Sequence, residues 1–237
     1  MRGDDGFDAQ VRGLAALAEP VRRDLYRYVV GQAGPVSREE AAEGVGVPRH
    51  VAKFHLDKLA DEGLLTVQFR RPPGRRGPGA GRPAKLYGRS SRELAVTLPE
   101  RRYELAGRVL VQAIGDAERD GVPVIQALRA AAGRAGRALG DEAGQRAGPR
   151  SGRAAQAATA QRMLAELGYE PRVAEDVLIL ANCPFDALAK ADTELVCGMN
   201  LDLISGLLDG LGHAGPRARL DPAPGRCCVT VRQPTAR

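Results

Sequence analysis

Ser37-Arg38-Glu39-Glu40-Ala41-Ala42-Glu43-Gly44-Val45-Gly46-Val47-Pro48-Arg49-His50-Val51-Ala52-Lys53-Phe54-His55-Leu56-Asp57-Lys58-Leu59 carries the clearest local signals in the chain. Ser37 has the chemistry of an N-cap. Glu40, three residues on, completes a capping box, in which each side chain accepts from the other residue's backbone amide. The short helix this opens, from Arg38 to Glu43, stops at Gly44, and Val45-Gly46-Val47 forms a tight turn. Pro48 suits the first turn of the next helix, where its missing N–H costs nothing. That helix runs to about Glu62, with Gly63 as its C-terminal stop. A short capped helix, a glycine-containing turn and a longer helix spell a helix–turn–helix.

Before this stretch, Leu14, Leu17, Val21, Leu25 and Tyr28 recur at three- and four-residue steps, which predicts helix broken near Pro20 and ended by Gly31–Pro35. Downstream, Leu64–Arg70 and Pro83–Arg89 read as extended segments around residues 71–82, a stretch too rich in Pro and Gly for regular structure. The order is therefore helix, helix, helix, hairpin. In the longer helix, Val51, Leu56 and Leu59, with Leu64 beyond it, face a core, leaving Arg49, His50, Lys53 and Asp57 mostly on the other side. Such a face enters the major groove of double-stranded DNA with its N-terminal residues at the bases. Arg49 offers bidentate donors to guanine, and Lys53 suits phosphate or guanine. His50 and His55 are further candidates, although His55, between Phe54 and Leu56, also fits a packed histidine. Phe54 reads as packing rather than as a thymine contact.

Charge points the same way. Residues 1–92 hold 17 Lys and Arg against 11 Asp and Glu, whereas residues 93–237 hold 18 of each. The net charge of +6 is thus confined to the first part of the chain, the footprint of a polyanion binder. Residues 65–92 contain eight basic side chains and no acid: Arg70, Arg71, Arg75, Arg76, Arg82, Lys85, Arg89 and Arg92. A wing lies against the phosphates at that place after a recognition helix, and neutralising several phosphates there makes binding salt-dependent.

The N-terminus, Met1–Gly6, has no apolar signal core, and no run approaches the ~18 apolar residues of a membrane span. A cytoplasmic protein is expected. Arg outnumbers Lys 31 to 4, which fits a GC-rich genome rather than a function. With 4% aromatic residues and no Trp, Ala, Leu and Val must supply most of the packing.

Beyond Pro99, Leu105, Ala106, Val109, Leu110, Ala113 and Ile114 form a helical stripe, and a second helix follows Pro123. Residues 140–153, rich in Gly, Arg and Ala, read as a linker. A helix over about 154–167 leads into a small α+β unit, with extended segments at 172–173, 177–181, 217–220 and 228–231 and helix over most of 187–211. The expected class is mainly α with small β elements. Three regions are expected: a winged helix-turn-helix over 1–92, a helical dimerisation or linker region over 93–153, and a cysteine-containing sensor domain over 154–237.

All four cysteines, Cys183, Cys197, Cys227 and Cys228, lie in that last region. Thirteen residues separate the first two, and twenty-nine separate Cys197 from Cys227. No close CxxC pair exists, so zinc-ribbon and thioredoxin readings are poor. Soft thiolates favour zinc, copper(I) or iron–sulfur clusters, and Pro184 directly after Cys183 has a parallel in ferredoxin motifs. The residues alone leave metal binding open beside small buried thiols. An enzyme reading finds no GxSxG, Walker loop or HExxH, and the glycines of 74–81 lack the helix opening of a dinucleotide fingerprint.

Leu17-Ala18-Glu19-Pro20-Val21-Arg22-Arg23, the run His50–Leu59 and Glu62-Gly63-Leu64-Leu65, in that order, resemble the ArsR-like winged-helix regulators over residues 10–92. The resemblance implies a homodimer on a palindromic DNA operator. The Leu105–Ile114 stripe is then either a dimer helix or intrachain core. With Asn182-Cys183-Pro184-Phe185, Cys197 and Cys227-Cys228 behind it, nearly the whole chain resembles the SufR-like regulators that sense iron–sulfur status or redox stress. That resemblance implies that Cys183, Cys197 and one of Cys227 and Cys228 bind a cluster of the 4Fe–4S type, whose occupancy controls DNA affinity, with the holo form repressing. Cyanobacterial-type members have four spaced cysteines, whereas here the last two are adjacent. Neighbours in a strand point to opposite faces, so the fourth ligand stays open among none, an exogenous group, Asp186, Asp192 and His213. Zinc, or a thiol-redox or small-molecule sensor without any cluster, is the alternative.

Overall fold

The computed structural model describes residues 3–70, 83–147, 153–212 and 216–232. It is mainly helical with two small antiparallel sheets, and it divides into two compact units, 1–96 and 97–237.

The first unit opens with α1 (Gly3–Ala16) and α2 (Pro20–Val30). Pro20 starts α2 without loss because a first-turn amide has no partner within the helix. Glu19 caps it, its carboxylate accepting from Val21 N at 3.1 Å and Arg22 N at 2.6 Å. The two-residue strand β1 (Val36–Ser37) leads into α3 (Arg38–Val45). The capping box is present: Glu40 N donates to Ser37 Oγ at 3.2 Å, and Ser37 N donates to the Glu40 carboxylate at 2.7 Å. Gly46, at φ 73°, ends α3 in a left-handed conformation that costs a residue with a Cβ much more. Pro48 takes the N-cap place of α4 (Arg49–Asp61) rather than its first turn.

Strands β2 (Leu65–Arg70) and β3 (Ala84–Arg89) pair antiparallel, Val67 opposite Tyr87 and Phe69 opposite Lys85. β1 completes the sheet against β3, giving the order β1-β3-β2. Leu25, Val29, Ala41, Ala52, Leu56, Leu59, Leu64, Leu65 and Tyr87 form the core of this unit. It is a winged helix-turn-helix.

The second unit comprises α5 (Tyr103–Asp120), α6 (Val124–Ala147), α7 (Arg153–Glu166), β4 (Pro171–Ala174), β5 (Val177–Leu180), α8 (Asp186–Ala191), α9 (Thr193–Gly210), β6 (Arg217–Leu220) and β7 (Val229–Arg232). The strands form one antiparallel sheet in the order β4-β5-β7-β6. One core joins Ala106, Val109 and Ala113 of α5 with Leu128 and Ala131 of α6, Leu203 and Leu207 of α9, and Leu178, Leu180 and Val231 of the sheet. The helices of 93–147 thus share the core of the cysteine region, and α6 runs through most of the stretch whose composition reads as a linker.

Glycine on both sides explains that last point. A Cβ added at Gly136 would lie 1.9 Å from Leu203 O, and one at Gly140 would lie 2.2 Å from Leu207 O. From α9, a Cβ at Gly206 would lie 2.1 Å from Gly133 O, and one at Gly210 would lie 2.3 Å from Arg137 O. The two helices meet backbone to backbone. Among the described residues no helix is long and apolar enough to cross a membrane.

Candidate nucleic-acid interface and cysteine site

On α4, Ala52, Leu56 and Leu59 are fully buried. Arg49, His50, Lys53 and Phe54 are exposed, and by the spacing of Ala52, Leu56 and Leu59, His50 and Phe54 lie opposite the buried line. Phe54 keeps 62% of its surface, so the sequence's packing reading does not hold for it.

Asp57, one turn beyond Lys53, braces α4 against β3 of the wing. Its carboxylate meets Lys85 Nζ in a very short contact, accepts from Tyr87 Oη at 2.6 Å and lies 3.4 Å from Lys53 Nζ. Burial opposes its charge, but these donors outweigh burial and hold its pKa below the ordinary carboxylate value. Burial and the hydrogen bond to Asp57 push the Tyr87 phenol well up, so it stays protonated. Lys53 and Lys85 are therefore tied to one shared carboxylate rather than standing free.

His55 lies between the outward and buried faces, its side chain 12% exposed. Arg22 Nε donates to its Nδ1 at 3.3 Å, and Glu19 lies 3.6 Å away. It is seated against the cap of α2, on the side of α4 away from the wing. Arg70 ends β2 and is exposed. Arg71, Arg75, Arg76 and Arg82 lie outside the described residues.

In the second unit the cysteines come together as two pairs. Cys183, half-buried, follows β5, and Cys227, fully buried, precedes β7. The Cys183 and Cys227 thiols stand as neighbours that share a hydrogen-bonding interaction. This bond, helped by the Phe185 amide and Arg101 against burial, brings the Cys183 thiol down to about 7. The same bond, together with burial, pushes Cys227 far up. Cys197 of α9 and Cys228 form a disulfide across a Cα–Cα separation of 6.3 Å.

A buried side-chain chain ends on the first pair. Tyr169 Oη donates to Asn200 Oδ1 at 2.5 Å, and Asn200 Nδ2 donates to Cys227 Sγ at 3.2 Å. Asn200 stands one turn after Cys197 on α9, so Cys227 and Cys228 both meet this helix, one turn apart. The two adjacent cysteines precede the strand, in irregular backbone, which frees them from the opposite-face rule the sequence reading applies. Asn182 anchors the Cys183 loop, donating to Gly168 O at 2.5 Å and Glu100 O at 3.0 Å, while Arg101 donates to Asn182 Oδ1 and to Cys183 O.

The carboxylates named as fourth-ligand candidates have other partners. Asp186 pairs with Lys190 at 2.8 Å, and Asp192 caps α9 through Leu195 N at 3.0 Å. His213 lies outside the described residues. Among the described residues no three or more His, Cys, Asp or Glu gather closely enough to hold a single metal ion.

Sequence reasoning passed over Asn200 and the Asp57–Tyr87 contact. Asn200 follows Cys197 by one helical turn, which is the only signal the sequence carried for it. A family model described as a helix-turn-helix domain matches residues 17–68. No curated protein and no solved structure matches the chain. The matched residues span α2 to β2, so the first unit is a helix-turn-helix domain and supports a DNA-binding regulator.

Proposed function

We propose that the chain is a homodimeric transcriptional repressor on a palindromic operator, and that its C-terminal cysteines control operator affinity by holding an iron–sulfur cluster. The helix-turn-helix match and the basic surplus of residues 1–92 support the DNA-binding half. The observation that carries the sensor half is the placement of the four cysteines as two pairs, Cys183 with Cys227 and Cys197 with Cys228, on the loop after β5, the middle of α9 and the approach to β7.

The donor set fits such a group. In a cluster each iron takes its own thiolate, so ligands are spread over corners, whereas structural zinc needs four donors about one point. Two neighbouring pairs suit the former. Cys183, Cys197 and one of Cys227 and Cys228 would hold the cluster, which supplies a redox-active, oxidant-sensitive centre when bound. Cys197 and Cys228 become available once a thiol reductant delivers two electrons and two protons to their S–S bond. Asn200 fixes the Cys227 sulfur by hydrogen bond, the kind of outer contact that sets ligand orientation and potential. Control then requires that the two states of the dimer differ in affinity for operator and for cluster alike.

The test is the absorption spectrum of protein purified without oxygen, with iron and acid-labile sulfide measured on the same sample. Broad absorbance near ~400 nm with matched iron and sulfide is expected. Unchanged iron content in Cys183→Ser after anaerobic reconstitution refutes that ligand. The Cys197–Cys228 disulfide favours a second reading, a thiol–disulfide switch in which a peroxide-class oxidant takes two electrons from the thiols, releasing two protons, and a dithiol returns them. A colourless protein that resists reconstitution, yet changes operator affinity on reduction, supports that reading instead.

A further inference from the structure

We propose that Phe54 reads the 5-methyl group of a thymine in the major groove and so imposes a thymine in each operator half-site, an inference that rests on the DNA-binding reading above.

Three observations carry it. Phe54 stands nearly opposite the line of Ala52, Leu56 and Leu59 that seats α4 in the core, at 3.6 residues per turn, and it is 62% exposed on the same face as His50. Two of the polar side chains near it on α4 are engaged elsewhere: Asp57 joins Lys53, Lys85 and Tyr87 in one network on the wing side, and Lys58 pairs with Glu62. The ring also has a fixed support: His55 packs edge-on at 5.1 Å and 71°, and His55 is itself held by Arg22. A phenyl group has no donor or acceptor and cannot take part in hydrogen-bond readout. Of the groups base pairs display in the major groove, the thymine 5-methyl is the apolar one. The pairing of an exposed, propped phenyl with the thymine methyl follows from that chemistry.

The experiment uses the full chain. Duplexes are selected from a random-sequence library with the wild-type protein. Binding of the selected duplex is then measured for wild type and Phe54→Ala, with each thymine replaced in turn by uracil, which lacks only the methyl group. At one thymine per half-site the replacement is expected to weaken wild-type binding about fourfold, which is about 0.8 kcal/mol at 1.4 kcal/mol per tenfold change. In Phe54→Ala the same replacement is expected to change nothing. Equal losses in both proteins at every thymine, or a selected site with no thymine, overturn the Phe54 assignment and leave DNA binding standing. Failure to enrich any duplex overturns both. Phe54 is mostly exposed, so the alanine variant keeps its fold, and the uracil substitution leaves the protein untouched.

Discussion

Replacing Gly206 by Ala tests the contact that joins α6 to α9. The added Cβ would lie 2.1 Å from Gly133 O, 2.9 Å from Gly133 C and 3.0 Å from Arg137 N. Ordinary contact begins at 3.4 Å, so the first of these falls about 1.3 Å short. The opposing atoms are backbone on a helix and have no rotamer to yield. The helices must part, and Leu203, Ile204, Leu207 and Leu208, all buried in the same core, lose contacts as they do. Overpacking of a well-packed core costs about 1–3 kcal/mol. Alanine also gains about 1 kcal/mol over glycine as a helix former, which obscures the cost in a single variant. Gly198, on the same helix with nothing within 4 Å of its added Cβ, carries the propensity gain alone. The difference between Gly206→Ala and Gly198→Ala in urea unfolding, at equal m values, therefore isolates the overlap. It is expected to be about 1–3 kcal/mol, toward the upper end because both sides are backbone. A Gly206→Ala protein as stable as Gly198→Ala would refute a backbone-to-backbone crossing.

Three further outcomes are expected. Ser37→Ala removes one half of the capping box and lowers the unfolding free energy of the first unit by about 0.5–2 kcal/mol, read from its urea midpoint. Asp57 is held below its ordinary pKa, so it contributes stability above the unfolded-state value near ~3.9 and loses that contribution as pH falls through the lower folded value. Melts of wild type and Asp57→Asn should therefore differ near neutral pH and converge on acidification below about pH 4. Asn200→Ala leaves the buried Tyr169 hydroxyl without its acceptor and should cost about 1–3 kcal/mol, again by urea unfolding.

What the sequence made legible was local. Ser37 and Glu40 satisfy each other within four residues, so the start of α3 was readable before any tertiary contact was known. Gly63 follows α4 at its expected stop, whereas α3 runs past Gly44 to Val45 and ends at Gly46. The glycines of α6 misled because helix propensity counts them as breakers. Their value comes from Gly206 and Gly210, far along the chain, which let the two backbones touch. Phe54 was read by residue type, which places phenylalanine inside; the buried line runs through Ala52, Leu56 and Leu59 rather than through Val51, which the sequence reading placed in the core, and that line puts Phe54 on the other side. His55 depended on Arg22 and Glu19, partners from outside its own helix that spacing could not supply. The pairing of Cys183 with Cys227 and of Cys197 with Cys228 likewise depends on how β5, β7 and α9 meet, which no interval between cysteines encodes.

The Asp57 brace changes how ions should be counted when this surface meets a polyelectrolyte. Lys53 and Lys85 bring two positive charges to the surface, and the carboxylate between them takes one away. On the proposed DNA-binding reading, the three residues together would displace about one condensed cation from a duplex. The slope of log affinity against log salt, near −0.9 for each phosphate neutralised, should be shallower by about one phosphate than a tally of lysines gives. Removing Asp57's charge should steepen it.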